Sequence, residues 1–124
     1  MSTLEVSNLN DGTTTVATTY ITNGSAKVWA NIDGTLATIA ARDSFNLSSL
    51  TDEATGGYIY NFTSNMGNND FTTTTSAFRD SDGYTGIYFD DQTTSRTKTR
   101  HYDRGTGTRS DEDSVYIVVH GDLT

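Results

Sequence analysis

The chain has 124 residues, of which 16 are acidic and 8 are basic, so its formal net charge is −8. It contains no Cys, which excludes a disulfide framework, a thiolate zinc site and a cysteine nucleophile. We do not expect a chain this acidic to bind nucleic acid, because affinity for phosphate comes from Lys and Arg. We also expect no membrane insertion, because no run approaches the roughly 18 apolar residues of a transmembrane helix.

The composition is short of aliphatic residues but rich in aromatic ones. Leu, Ile, Val and Phe together number 23, which is close to the level at which a highly charged chain stays disordered. Yet the chain carries 7 Tyr, 5 Phe and one Trp, more than a disordered chain usually has. Its 36 Ser and Thr residues include many Thr, whose branched Cβ favours strands. This combination predicts a β-rich fold with a thin core that neighbouring chains complete.

Residues 1–24 contain too few large apolar side chains to form a core of their own. Turn signals at residues 10–12 and 23–24 flank a Thr-rich run at residues 13–22. We interpret this segment as an N-terminal arm, either flexible or extended as a strand on another surface. Its first residues lack the basic and apolar regions of a signal peptide, so no export is expected.

Residues 25–124 alternate between apolar and polar side chains, in short stretches separated by Gly, Asn and Asp turns. This pattern predicts an all-β domain, a small antiparallel β-sandwich of about seven or eight strands with the arm extending from it. The predicted strands lie at residues 26–32, 36–40, 45–50, 58–62, 71–78, 85–89, 95–102 and 115–120, with a polar loop at residues 105–113.

Catalytic patterns are weak in this sequence. His101 and His120 fall on predicted strands, and we interpret both as surface or edge residues. Ser and Asp are so common that residues for a Ser–His–Asp catalytic triad can always be selected from the sequence. No Gly-x-Ser-x-Gly motif, which would mark a nucleophilic Ser, supports such a triad. We therefore predict no catalytic residues, no enzymatic activity and no cofactor.

Two acidic segments contain carboxylates that could in principle bind a cation. Asp80-x-Asp82-Gly83 resembles the start of a calcium loop, but it lacks the third ligand spacing and the distal Glu. A plain turn is the favoured interpretation, and whether Asp80 and Asp82 bind a cation stays open. Residues 111–113 are expected to form a solvated acidic loop, so no metal site is predicted.

Five of the eight basic residues fall between positions 96 and 109. At the two-residue period of a strand, Arg96, Lys98, Arg100 and Tyr102 share one face. This basic stripe could meet an anionic glycan, a phosphate or an acidic patch on another chain. Alternatively it is a solvated face that blocks edge-to-edge aggregation, or it forms ion pairs between subunits.

Aromatic side chains suggest a second kind of contact. Trp29, Tyr84, Tyr88 and Tyr102 could stack on the sugar rings of a glycan. The alternative for each of them is a place in the core or on the axis of an oligomer.

Three stretches of the sequence are similar to those of a known group. Residues 23–35 read NGSAKVWANIDGT, residues 41–52 read ARDSFNLSSLTD and residues 55–63 read TGGYIYNFT, while residues 121–123 read GDL. These stretches resemble small phage virion proteins of the tail-fibre-like or structural kind, found among phages of aquatic bacteria. The resemblance covers about residues 20–63 and the extreme C-terminus, whereas residues 64–114 look variable.

The resemblance implies a non-enzymatic virion component that is made in the cytoplasm of the host bacterium. It implies a tail-fibre-type module that contacts the host surface, or alternatively a capsid decoration (cement, or head-fibre) protein that stabilises the head. Such proteins are commonly homotrimers, and a trimer would complete a thin core because each chain buries apolar surface on its neighbours. Residues 1–24 would then dock on other virion proteins or pack around the threefold axis.

Overall fold

The structure is a computed structural model that describes residues 2–78 and 85–124. The described part contains ten strands and one short helix. Their bounds are β1 (Asn8–Asn10), β2 (Thr15–Ala17), α1 (Thr18–Gly24), β3 (Val28–Asp33), β4 (Ala40–Phe45), β5 (Leu47–Ala54), β6 (Gly57–Phe62), β7 (Thr72–Phe78), β8 (Thr85–Thr93), β9 (Arg96–Asp103) and β10 (Ser114–His120).

Eight of these strands form two four-stranded sheets. Sheet 1 has the order β4-β3-β10-β7, and sheet 2 has the order β5-β6-β9-β8. All neighbouring strands run antiparallel, and the two sheets pack against each other. The predicted small antiparallel β-sandwich is therefore confirmed. Strands β1 and β2 form a separate hairpin in the arm.

The core lies between the two sheets and follows the alternation of the sequence. In β3, Val28, Ala30 and Ile32 are buried while the residues between them face outward. Strand β10 lies beside β3 in sheet 1 and buries its own alternate residues in the same way. Sheet 2 contributes the buried side chains of Tyr58 and Tyr60 from β6. Burial of such side chains supplies the main stabilisation of the sandwich, at about 1.5–3 kcal/mol for each large one.

Asn46 makes the corner at which the chain leaves sheet 1 and enters sheet 2. Its φ is +56°, a left-handed conformation that Asn tolerates better than most residues. The side-chain amide donates hydrogen bonds to the carbonyls of Lys27 (3.0 Å) and Ser64 (3.1 Å), and its oxygen accepts one from the Ser64 amide (2.7 Å). These bonds tie the corner to the start of β3 and to the end of β6.

The strand predicted at residues 36–40 is wrong, because β4 begins only at Ala40. The Asp33 carboxylate accepts hydrogen bonds from the backbone amide (3.1 Å) and the hydroxyl (2.7 Å) of Thr35. Such local bonds offer the backbone an alternative to the ladder of a sheet. These bonds turn the chain after β3, and the next strand of the sheet, β4, begins only several residues later.

The arm contains a helix that the Thr-rich sequence did not lead us to expect. Helix α1 has seven residues, none of them buried, and a helix this short is marginal in isolation. The Lys27 ammonium bonds to the Thr22 carbonyl and to the Ser25 carbonyl (3.0 Å) and hydroxyl (2.9 Å). A cation at this end satisfies free carbonyls and complements the helix dipole. No helix in the described part is long and apolar enough to cross a membrane.

Candidate functional site

The basic stripe lies on the outer face of sheet 2. Strand β9 is an inner strand between β6 and β8, and its residues alternate between the two sides of the sheet. Thr97, Thr99 and His101 face the core and are fully buried. The structure therefore brings together the four predicted residues on the opposite side: Arg96, Lys98, Arg100 and Tyr102.

Carboxylates from two other strands of sheet 2 contact two cations of the stripe: Glu53 on β5, one strand beyond β6, and Asp91 on the adjacent β8. The Lys98 ammonium lies 2.5 Å from the Glu53 carboxylate, although Lys98 is only 6% exposed. The Arg96 guanidinium makes two hydrogen bonds to one oxygen of Asp91, at 2.6 and 3.1 Å. An anionic ligand at this stripe would have to compete with these carboxylates. Binding of a partner by the stripe stays a prediction.

Tyr102 has a cationic neighbour of its own. The guanidinium carbon of Arg109 lies 6.0 Å from the centre of the Tyr102 ring, at the limit of a cation–π contact. Arg109 belongs to the polar loop before β10, and it also forms an isolated bridge with Tyr102. This contact places the loop beside one end of the stripe.

Trp29 lies on the other side of the molecule from the stripe, on the outer face of sheet 1. Its cross-strand neighbours are Phe45 on β4 and Val118 on β10. Trp29 is 36% exposed and Phe45 is 53% exposed, and Tyr116 on the same face is also exposed. The structure thus separates Trp29 from the stripe and places it instead in an exposed aromatic group. We call Trp29, Phe45 and Tyr116 the aromatic face.

Several predicted residues lie outside the described part of the chain. Asp80 and Asp82 of the calcium-like segment are among them, and so is Tyr84. The side chain of Tyr88 is likewise outside it. Among the described residues, no group of three or more His, Asp or Glu side chains is placed to hold a metal ion.

Every large apolar side chain of residues 2–24, the described part of the arm, is exposed. Leu9 and Val16 are opposite each other in the β1–β2 hairpin, and both are exposed, as are Leu4, Tyr20 and Ile21. None of residues 2–25 is buried. The arm therefore carries an apolar surface that this chain itself does not cover.

The interior holds a hydrogen-bonded polar row that the sequence analysis missed. The Tyr60 hydroxyl lies 3.4 Å from the Thr99 hydroxyl, which lies 3.0 Å from Nε2 of His101. His101 is 0% exposed, so its interpretation as a surface or edge residue is wrong. Burial lowers its pKa to about 4 and keeps the imidazole neutral near pH 7. His120 is exposed, in line with the prediction.

A second polar cluster holds the loop before β10 against the sandwich. The Tyr58 hydroxyl donates to Asp111 (3.3 Å) and accepts from the backbone amide of Glu112 (3.2 Å). Burial is the main reason that the pKa of Tyr58 lies well above its usual value, so the hydroxyl keeps its proton. Glu112 is fully buried, and the prediction of a solvated acidic loop at residues 111–113 is therefore wrong.

Two glycines allow this loop to come so close. A Cβ added at Gly34 would lie 2.1 Å from the Tyr58 hydroxyl oxygen. Gly56 has a φ of +66°, and a Cβ there would lie 2.5 Å from the His101 carbonyl oxygen. The Gly56 amide donates to the Asp111 carboxylate at 2.6 Å. Together these contacts show a close-packed junction that braces the sandwich.

Comparison of the chain with protein-family models, with curated proteins and with solved structures finds no match.

Proposed function

We propose that this chain is a non-enzymatic structural protein of a phage virion, a tail-fibre-type module that associates as a homotrimer. In this proposal the arm docks on other virion proteins, and the sandwich projects and contacts the host surface. The observation that carries the proposal is the arm: the large apolar side chains of residues 2–24 are all exposed, although the arm is joined to a sandwich with its own core. The resemblance to phage virion proteins points the same way.

The arm has the physical properties of a segment that is stabilised by assembly. Strands of three residues and a helix of seven are marginal without tertiary packing. Exposed apolar side chains gain about 25 cal/mol for each Å² that a partner removes from water. Docking would therefore stabilise the arm and attach the chain in the same step.

The sandwich offers two surfaces for contact with the host. The aromatic face of sheet 1 has ring side chains suited to stacking on sugars. The stripe of sheet 2 has cations suited to anionic glycans, in competition with its own carboxylates. Since the two surfaces lie on opposite sides of the sandwich, substitutions can test them separately.

One observation favours the second candidate, a capsid decoration protein. Ile21 of the arm and Phe45 of sheet 1 line the same hollow, so the apolar surface continues from the arm onto the sandwich. A partner that covers the arm would then also touch the sandwich. This geometry fits a domain that lies flat on a capsid better than one that projects from its anchor.

The experiment is incorporation into particles of a phage that encodes this chain. We expect deletion of residues 1–24 to abolish incorporation, while the circular dichroism of the purified sandwich stays β-rich. Phe89→Ser, which changes an exposed aromatic residue of sheet 2, is the control and should be incorporated normally. Normal incorporation of the deletion variant would refute the anchoring role of the arm.

The two candidates differ in what particles without the chain would lose. A fibre-type module is required for adsorption to host cells, and its loss should leave the head intact. A decoration protein stabilises the head, and its loss should lower the temperature at which DNA is released without affecting adsorption. Measurable hydrolysis of host polysaccharide by the purified chain would contradict both.

A further inference from the structure

Two apolar hollows meet at Ile21 in the arm. The first, of about 630 Å³, lies between the arm and the sandwich, and its apolar lining includes Ile21, Phe45 and Leu123. The second, of about 500 Å³, lies against the hairpin, and its apolar lining consists of Leu9, Val16 and Ile21. Because Ile21 lines both, the two hollows adjoin at this side chain, and we call them together the concave surface around Ile21.

The most exposed large apolar side chains of the described residues also belong to the arm. Leu4 is 81% exposed and Tyr20 is 75% exposed. Tyr20 precedes Ile21 on helix α1, and successive helical residues point about 100° apart, at 3.6 residues per turn. Tyr20 accordingly lines neither of the two hollows. One chain thus presents both projecting apolar side chains and hollows that these side chains do not fill.

We infer that the concave surface around Ile21 is occupied by the arm of a second copy of this chain, which inserts Tyr20 and Leu4. This inference rests on the proposed function, in which residues 1–24 serve assembly, and it names one partner of the arm. The contact is reciprocal, because each copy has both the projecting residues and the hollows. Two copies related by a twofold axis can each insert their projecting side chains into the hollows of the other. In a ring of copies, each copy inserts its side chains into the hollows of the next one.

The area of this surface is sufficient for a specific contact. Aromatic side chains expose about 150–250 Å² when free, so Tyr20, Trp29 and Phe45 together still expose on the order of 300 Å². The aliphatic side chains of the arm and Leu123 add a similar area, on the order of 300 Å². Mutual burial of such surfaces by two copies removes on the order of 1,200 Å² from water, the lower limit for a stable interface.

Trp29 makes the contact measurable. It is the only Trp in the chain, and it lies directly across from Phe45, which lines the first hollow. An arm that enters this hollow would therefore shield Trp29 from the solvent. Quenching of tryptophan fluorescence by acrylamide reports that shielding without any added label.

The test uses the full chain, purified without other virion proteins. Its mass by sedimentation velocity and the acrylamide quenching of Trp29 are followed from about 1 µM to about 500 µM, which covers the micromolar dissociation constants at the weak end for protein interfaces. We expect the mass to increase to that of a dimer or larger ring, and the acrylamide quenching constant of Trp29 to fall about twofold. Both transitions should have the same midpoint in protein concentration. A chain that stays monomeric with equally quenched Trp29 throughout would overturn the inference.

Two variants of the full chain test the occupant. The double variant Leu4→Ser and Tyr20→Ser removes the projecting side chains, and Phe89→Ser is the matched control on sheet 2. All three residues are exposed, so circular dichroism should show each variant folded. We expect the double variant to stay monomeric with solvent-accessible Trp29, and the control to associate like the original chain. Association of the double variant equal to that of the control would show that something other than the arm covers the surface, and would overturn the inference.

These results are separate from those for the proposed function. If the chain does not self-associate but is incorporated into particles through residues 1–24, only this inference fails. If the chain self-associates through the arm but is not a component of particles, the proposed function fails and the contact between copies remains.

Discussion

Lowering the pH from about 6.5 to about 4 is expected to destabilise the sandwich through His101. The imidazole is completely buried between the sheets, and its burial lowers its pKa from the ordinary value of 6.5 to about 4. In this pH window the unfolded chain binds a proton at His101 while the folded chain does not. The contribution of His101 to stability is therefore fully present above pH 6.5 and is lost as the pH decreases towards 4.

The magnitude follows from the size of the pKa difference. Each pH unit changes the free energy of unfolding by about 1.4 kcal/mol for each proton that the unfolded state takes up in excess. Over the difference between 6.5 and about 4, His101 should cost the fold about 3 kcal/mol. That is a large share of the 5–15 kcal/mol that typically stabilises a domain. Asp33, whose pKa is lowered mainly by its hydrogen bonds to Thr35, titrates below this window.

The assay is urea unfolding at several pH values between 7 and 4, monitored by Trp29 fluorescence at one low protein concentration. His101→Gln removes the titrating group, so it should lose about 3 kcal/mol less than the original chain across the window. His120→Gln changes the exposed histidine and should behave like the original chain. If His101→Gln and the original chain lost equal stability, the reasoning about His101 would be refuted.

Three further substitutions test one packing contact and two ion pairs of the sandwich by urea unfolding at pH 7. Gly34→Ala places a Cβ 2.1 Å from the Tyr58 hydroxyl oxygen, and such overpacking should cost about 1–3 kcal/mol. Glu53→Gln leaves the buried Lys98 ammonium without the carboxylate at 2.5 Å, and we expect a loss of about 1–2 kcal/mol, since Glu53 itself is partly exposed. Asp91→Asn breaks a more exposed ion pair and should cost less than about 0.5 kcal/mol.

Gly24 provides the control for the glycine substitution. A Cβ added there meets nothing within 4 Å, so Gly24→Ala should leave stability unchanged or raise it slightly. Equal losses for Gly24→Ala and Gly34→Ala would show that the contact with Tyr58 does not limit the packing. Similarly, equal losses for Glu53→Gln and Asp91→Asn would show that burial of Lys98 adds nothing to its ion pair.

The sandwich could be predicted from the sequence where one side of a strand is clearly more apolar. In β3 the alternation of Val28, Ala30 and Ile32 with polar residues identifies both the strand and its buried side. Strand β9 lacks an apolar side of this kind, because Thr97 and Thr99 are uncharged but still polar. The two-residue period of a strand correctly predicts that Arg96 and Lys98 share one face, but it does not show which face of the strand lies against the core. The strand period alone therefore does not identify His101 as a buried residue.

The remaining differences depend on contacts between distant parts of the chain. Glu112 is buried, and its backbone amide donates a hydrogen bond to the hydroxyl of Tyr58, 54 positions away. Helix α1 ends beside the Lys27 ammonium, and this local contact opposes the strand propensity of Thr. The shared hollow of Ile21 and Phe45 likewise exists only after folding. The sequence indicated an arm that needs a partner, but not where the arm and the sandwich form one surface.

The most direct test of the virion proposal is a residue-level electron cryomicroscopy map of purified particles of a phage that encodes this chain. Our account predicts the sandwich at the tail or head surface, with residues 2–24 buried against neighbouring virion proteins or copies of the chain. It also predicts that Leu4 and Tyr20, now the most exposed large apolar side chains of the described residues, lose that exposure in the particle. Particles that lack the chain, or that carry it with the arm free in solvent, would contradict the account.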